Sequence, residues 1–282
     1  MTDEHLLALA DLAEGQWGLL TTGQTAGIGV SPLQLKRYTD RGLLVRLRHG
    51  VYRLSGAPES SLETLRAEWL ALEPKRRAAD RLRDQVPVGV VSHRSAAVLQ
   101  DLGDLDADVN VFTVPKRRHT RSPDVAFRGG TLERKDWRRI DGLPVTRPLR
   151  TVVDLAADRT DGGHLATVVR DAILTGDTTS AQVAEALRSY AHYYGLRPGD
   201  GTGLVAEFVQ QAGIPTSTLD LAALRAAALD TSAPVPAAVR DAALDALVSS
   251  PAWADLIGQI RNLITHNLTA PHGHGAANEE SS

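Results

Sequence analysis

The stretch Ser31 to Ser55 (SPLQLKRYTDRGLLVRLRHGVYRLS) leaves little freedom in how the first part of this chain folds. Ser31 followed by Pro32 predicts a helix start: a hydroxyl to cap the open N–H groups, then proline where its missing N–H costs nothing. Leu35 and Tyr38, three apart, share one face, while Gln34, Arg37 and Arg41 fall on another. Gly42, free to take positive φ, predicts the helix end. From Leu44 to Arg48 apolar and polar residues alternate, which is the period of a half-buried strand. His49-Gly50 turns that strand and Val51 to Leu54 returns. The cations Lys36, Arg37, Arg41, Arg46, Arg48 and Arg53 meet Asp40 alone. A basic helix followed by a basic hairpin predicts a winged helix-turn-helix, with the helix in the major groove and the hairpin on the phosphates.

The residues on either side fit that expectation. His5 to Glu14 carries Leu6, Leu9, Ala10 and Ala13 at helical spacing. Gly18-Leu19-Leu20 reads as a short apolar link, and Thr21 or Thr22 caps a second helix that runs to Ile28, with Gly29 as the turn. After the linker Ala57 to Ser61 a helix resumes with Leu65, Trp69 and Leu72 on one face. Pro74 disturbs it, and Lys75 to Arg83 continues as a charged helix. Strands follow at 109–114, 125–127 and around 137–140, with Gly129-Gly130 turning between the second and the third, and 142–146 reads as another strand or extended piece. From Pro148 onward the pattern is helical. The fold class is therefore α+β: a winged-helix domain (1–56), a mixed α/β domain (60–195), a helical C-terminal extension (196–268) and a disordered polar tail (269–282).

Composition narrows the function. The chain has 282 residues and no cysteine, which excludes disulfides, a thiol nucleophile and cysteine-ligated zinc. The N-terminal residues carry no basic segment and no long apolar run, so neither a signal peptide nor a membrane span is expected and the reading is cytoplasmic. Residues 1–150 hold 24 Lys and Arg against 19 Asp and Glu, whereas the rest hold 7 against 15. A basic half joined to an acidic half fits a part that binds nucleic acid and a part that meets something else.

Four phrases carry a family resemblance: RLRHGVYRLSG in the hairpin, VSHRSAAVLQDLG at 91–103, VNVFTVP at 109–115 and GLPVTRPLRTVVDLA at 142–156. Together, over roughly residues 5–195, they resemble the AbiEi antitoxins of AbiE-type (type IV) toxin–antitoxin systems, a phage-defence class. The resemblance implies an N-terminal winged helix that binds inverted repeats in promoter DNA and represses the operon. It also implies a later domain that counteracts a nucleotidyltransferase-like toxin. Carried onto this chain, the DNA-binding residues are Ser31, Gln34, Lys36, Arg37 and Arg41 in the helix and Arg46, Arg48 and Arg53 in the wing.

Other motifs read as structure. Ser92-His93-Arg94 lacks a placed acid and opens a helix, so Ser92 reads as a cap and His93 as structural. Pro123-Asp124 with Glu133-Arg134-Lys135 fits the loose pattern of a Mg²⁺-dependent nuclease, in which a hairpin would bring Asp124 opposite Glu133. A solvated hairpin explains the same residues. Lys116 to His119 is a basic loop that could reach DNA beside the wing or meet an acidic partner, and a plain surface loop explains it equally. Arg150 and Asp154 form an i,i+4 pair at a helix start. The GDGTG run at 199–203 could hold a phosphate but lacks the P-loop lysine. His272 and His274 are too few for a metal site. The reading is a regulator with no catalysis, cofactor or metal of its own. A stand-alone transcription factor without a toxin is the alternative, and a nuclease built on Asp124 and Glu133 is the third possibility.

Overall fold

The computed structural model describes residues 3–213 apart from Arg117, Arg121 and Gly176. The helices expected after residue 213 and the polar tail lie outside the described residues. The chain is a mixture of α and β. Its first elements are α1 (Asp3–Glu14), β1 (Leu19–Thr21), α2 (Thr22–Ala26), α3 (Pro32–Asp40), β2 (Leu44–Arg48) and β3 (Val51–Leu54). The strands make an antiparallel sheet in the order β1-β3-β2. Leu19-Leu20 is thus a strand and not a link: Leu19 pairs with Arg53 and Leu20 with Tyr52. A three-residue strand is too short to display its own period.

Successive strand residues point to opposite faces, and here each face meets a different core. On one side Leu20 and Leu44 join Leu9 and Leu12 from α1, Val30 from the loop before α3, and Leu35 and Tyr38 from α3. On the other side Leu19 and Val51 join Leu65, Trp69, Leu70 and Phe112 from the following part of the chain. The small sheet is therefore covered on both faces.

That following part contains α4 (Glu63–Leu72), the single turn α5 (Ala78–Arg81), β4 (Val90–Val91), α6 (His93–Leu99), β5 (Asn110–Val114), β6 (Val125–Gly129), β7 (Trp137–Ile140) and β8 (Leu143–Thr146). Its five strands lie in the order β6-β5-β4-β8-β7. The pairs β5–β6 and β4–β8 are parallel and the others antiparallel. Gly129-Gly130 does not turn a hairpin, because β6 and β7 occupy opposite edges of the sheet. The charged helix expected over 75–83 shrinks to α5. Its last residue, Arg81, is fully buried. It donates to the carbonyls of Trp69 (2.7 Å) and Val88 (2.8 Å) and stacks over the Trp69 ring at 3.6 Å.

Four α-helices close the described chain, α7 (Pro148–Ala157), α8 (Gly162–Leu174), α9 (Ser180–Leu187) and α10 (Gly201–Gln211), with a 3₁₀ helix (Arg188–Tyr194) between the last two. Helix α10 packs on α8 and α9. The glycine run at 199–203 serves this joint. Gly201 sits against the Ala184 carbonyl with no room for a Cβ, and Asp200 caps α10 by accepting from the Gly203 N–H at 2.8 Å. That cap takes one of the N–H groups a phosphate would need. Among the described residues no helix is long and apolar enough to cross a membrane.

Candidate nucleic-acid interface

Helix α3 is held by two kinds of contact. Ser31 and Gln34 form a capping box: the Ser31 Oγ accepts from the Gln34 N–H (3.3 Å), and the Gln34 Oε1 accepts from the Ser31 N–H (2.8 Å). Leu35 and Tyr38 anchor the inner face in the core. The opposite face, at 100° per residue, presents Leu33, Arg37 and Asp40 at its centre and Lys36 on its flank, all exposed. Lys36 pairs with Asp40 at 2.7 Å on the open surface. Arg41, also exposed, stands at the helix end, and Gly42 (φ +71°) turns the chain away.

Two corrections to the expected site follow. Ser31 and Gln34 are spent on the cap, so a bidentate contact from Gln34 to adenine would have to release it. Leu33, which the charge pattern gave no reason to single out, is 58% exposed in the first turn. An apolar residue there can meet a thymine methyl. The signal for it was the inward face: Leu35 and Tyr38 point in, so Leu33 points out.

The hairpin divides the three wing arginines. Arg46 is exposed near the tip and lies 3.1 Å from the His49 Nδ1. The register slips between Arg46 and Arg48, and this irregularity re-aims Arg48. Arg48 is half-buried and donates to the carboxylate of Glu68 on α4. Burial pulls its guanidinium below the ordinary arginine value. Arg53 is 5% exposed. It donates to the Ala57 carbonyl at 2.7 Å and pairs with Glu59 and Glu63, each at 2.7 Å. Arg53 therefore does not belong to a DNA face: it faces the same side as Val51, the side that α4 covers. The surface the structure assembles is Leu33, Lys36, Arg37 and Arg41 on α3 with Arg46 and His49 on the hairpin. A groove of about 570 Å³ runs between the hairpin, the start of α2 and residues 71–74.

Comparison with known proteins bears on this segment directly. Residues 8–55 match the family model described as "Transcriptional regulator, AbiEi antitoxin". The match runs from the middle of α1 through the β2–β3 hairpin. The phrases at 91–103, 109–115 and 142–156 lie outside it. Among solved structures, the crystal structure of the RV2827C protein from Mycobacterium tuberculosis is similar over 80% of this chain and 82% of that one, at 17% identity and a TM-score of 0.46. No curated protein matches.

Both sites weighed as chemistry lie outside the matched segment. Asp124 immediately precedes β6 and Glu133 follows its far end, so the strand holds the two carboxylates apart. Glu133 pairs with Lys135 on the open surface. Among the described residues no group of three or more His, Asp or Glu could hold a metal ion. His93 does have acids beside it, contrary to the sequence reading. Its Nδ1 lies 2.9 Å from the Ser92 Oγ and its Nε2 3.8 Å from Asp158. Ser92 makes no capping bond and instead accepts from the Thr113 hydroxyl at 2.8 Å. Burial holds His93 below the ordinary histidine value, although Asp154 and Asp158 pull the other way. Burial also pushes the Asp154 carboxyl up, against the pull of His93 and Arg150. Ser92 is fully buried, so the serine is a strut in a polar core and not an open nucleophile.

Proposed function

We propose that this protein is a DNA-binding antitoxin and autorepressor of an AbiE-type toxin–antitoxin operon. In this reading the first 56 residues are a winged helix-turn-helix, with α3 as recognition helix and the β2–β3 hairpin as wing. The observation that carries it is the outward face of α3, which aims Leu33, Arg37 and Lys36 away from the core within the segment that matches the AbiEi regulators. Arg37 supplies the fork that pairs with guanine O6 and N7, and Arg46 rides on a phosphate. The target is double-stranded promoter DNA with inverted repeats, bound in a salt-sensitive manner. The partner is a nucleotidyltransferase-like toxin encoded nearby, met by the part of the chain after residue 60. The protein acts in the cytoplasm by binding alone.

The test has two arms. A reporter driven by the operon's own promoter should be repressed by the wild-type chain and released by Arg37→Ala. Co-expression with the neighbouring toxin should restore growth. Repression without rescue would leave a transcription factor and remove the antitoxin role.

A further inference from the structure

A second cleft, of about 510 Å³, opens where the first turn of α6, the loop before β5, strand β6 and the end of α7 meet. Its inner polar group is His93, with only 9% of the side chain exposed. The Thr113 hydroxyl donates to the Ser92 Oγ at 2.8 Å, so the one Ser92 hydrogen is left for the His93 Nδ1 at 2.9 Å. The imidazole hydrogen therefore sits on Nε2 and makes it a donor. Because Nδ1 is tied into the core and His93 lines the cleft, Nε2 is the end that meets the open space. Among the described residues nothing accepts from it: Asp158, at 3.8 Å, lies beyond hydrogen-bonding reach. A buried donor without an acceptor costs stability. His93 also holds φ +54°, a region that a bulky side chain rarely adopts. A side chain kept both unsatisfied and on strained backbone points to a role in binding.

The walls carry both signs of charge. Arg128 gives one N–H to Asp158 at 2.9 Å, which offsets that carboxylate's repulsion of an incoming anion. Asp106 and Asp108 come from the loop before β5, both exposed and without a side-chain hydrogen bond or ion pair among the described residues. Arg94 steadies that loop by donating to the Asp106 carbonyl at 3.4 Å. Val111, Ala126 and Leu155 supply an apolar wall. A bare anion here would meet the carboxylates, and a bare organic cation would meet the guanidinium groups. A metal ion is not served either, since no group of three ligating side chains occurs among the described residues. A ligand that carries both charges complements both.

We propose that this cleft binds a small zwitterion of the amino-acid class. Its carboxylate accepts from the His93 Nε2–H and from Arg128, and its ammonium is held by Asp106 and Asp108. An apolar portion lies against Val111, Ala126 and Leu155. The site stands on these residues alone and does not depend on the DNA-binding reading.

The experiment is isothermal titration calorimetry of the full chain with L-leucine and with L-lysine. Two half-ligands run beside them: isocaproate, which is leucine without its ammonium, and isoamylamine, which is leucine without its carboxylate. At least one amino acid should bind saturably, and each half-ligand should bind at least about 10-fold more weakly, since each forgoes a charge-assisted bond. Binding of leucine places the α-ammonium on the two aspartates, and binding of lysine alone places the side-chain ammonium there. Asp106→Asn/Asp108→Asn is the decisive variant, because neither carboxylate holds the fold. It should weaken the amino acid about 10-fold or more and leave isocaproate unchanged. His93→Phe should abolish binding of the amino acid, with a thermal melt to show that the variant folds. If it does not fold, the aspartate pair carries the test by itself. Three results would overturn the site: no saturable heat from either amino acid up to about 10 mM, isocaproate as tight as the amino acid, or wild-type affinity in the aspartate variant.

Discussion

Replacing Arg53 with methionine separates a folding role from a DNA role at a residue whose sequence context suggests the second. The guanidinium is buried and makes three contacts: the Ala57 carbonyl, Glu63 and Glu59. Glu59 is 84% exposed, so that pair contributes at most about 1 kcal/mol. The bond to the Ala57 carbonyl from a charged donor is worth about 1.5–3 kcal/mol. Removing one member of a largely buried pair such as Arg53–Glu63 costs on the order of 3–5 kcal/mol, most of it from the carboxylate left behind. Because Glu63 keeps some access to water, the total for Arg53→Met should stay near 3–5 kcal/mol. For a unit of this size that corresponds to a fall in Tm of roughly 6–20 °C. Urea denaturation followed by circular dichroism gives the stability, and anisotropy at 10 °C gives DNA affinity with the variant still folded. The expected pair of results is a large loss of stability with an unchanged salt slope. A variant as stable as wild type but with a flatter slope would refute the placement of Arg53.

Arg37→Ala should weaken binding to the operator by about 1–3 kcal/mol, measured by gel shift at fixed salt, if its fork reads a guanine. Gly23→Ala places a methyl against the Pro74 carbonyl and should cost about 1–3 kcal/mol in a thermal melt. His93 is held below its ordinary value of about 6.5 by burial. The unfolded chain therefore takes up a proton that the folded chain refuses, and stability falls as pH drops below that value. His93→Gln should flatten the stability–pH curve in that window, and an unchanged curve would show that another group sets it.

The helix Pro32–Asp40 and its hairpin were legible because every signal is local: a serine–proline start, apolar residues three apart, a glycine at each turn. The sheet order was not legible, since parallel β5–β6 pairing joins residues that share no turn. Arg53 was misread for a related reason. The alternation of β3 correctly puts Arg53 on the face opposite Tyr52 and Leu54, and the natural inference is that this face meets water. Only the position of α4, set by Trp69 and Leu65 in a later segment, shows that the face is covered. Arg48 adds a second kind of failure, because its direction depends on a one-residue irregularity that alternation cannot reveal. His93 lacked a visible acid because Asp154 and Asp158 arrive from α7, some sixty residues on.

The sheet with a core on each face has a practical meaning for how the chain can be divided. A cut after residue 56 would open one face of that sheet, expose Leu19 and Val51 to water, and strip Arg48 and Arg53 of Glu68, Glu59 and Glu63. A fragment made that way would be a sticky half-sandwich with two stranded cations. The first 56 residues are a cornerstone of the larger body and not an appendage on it.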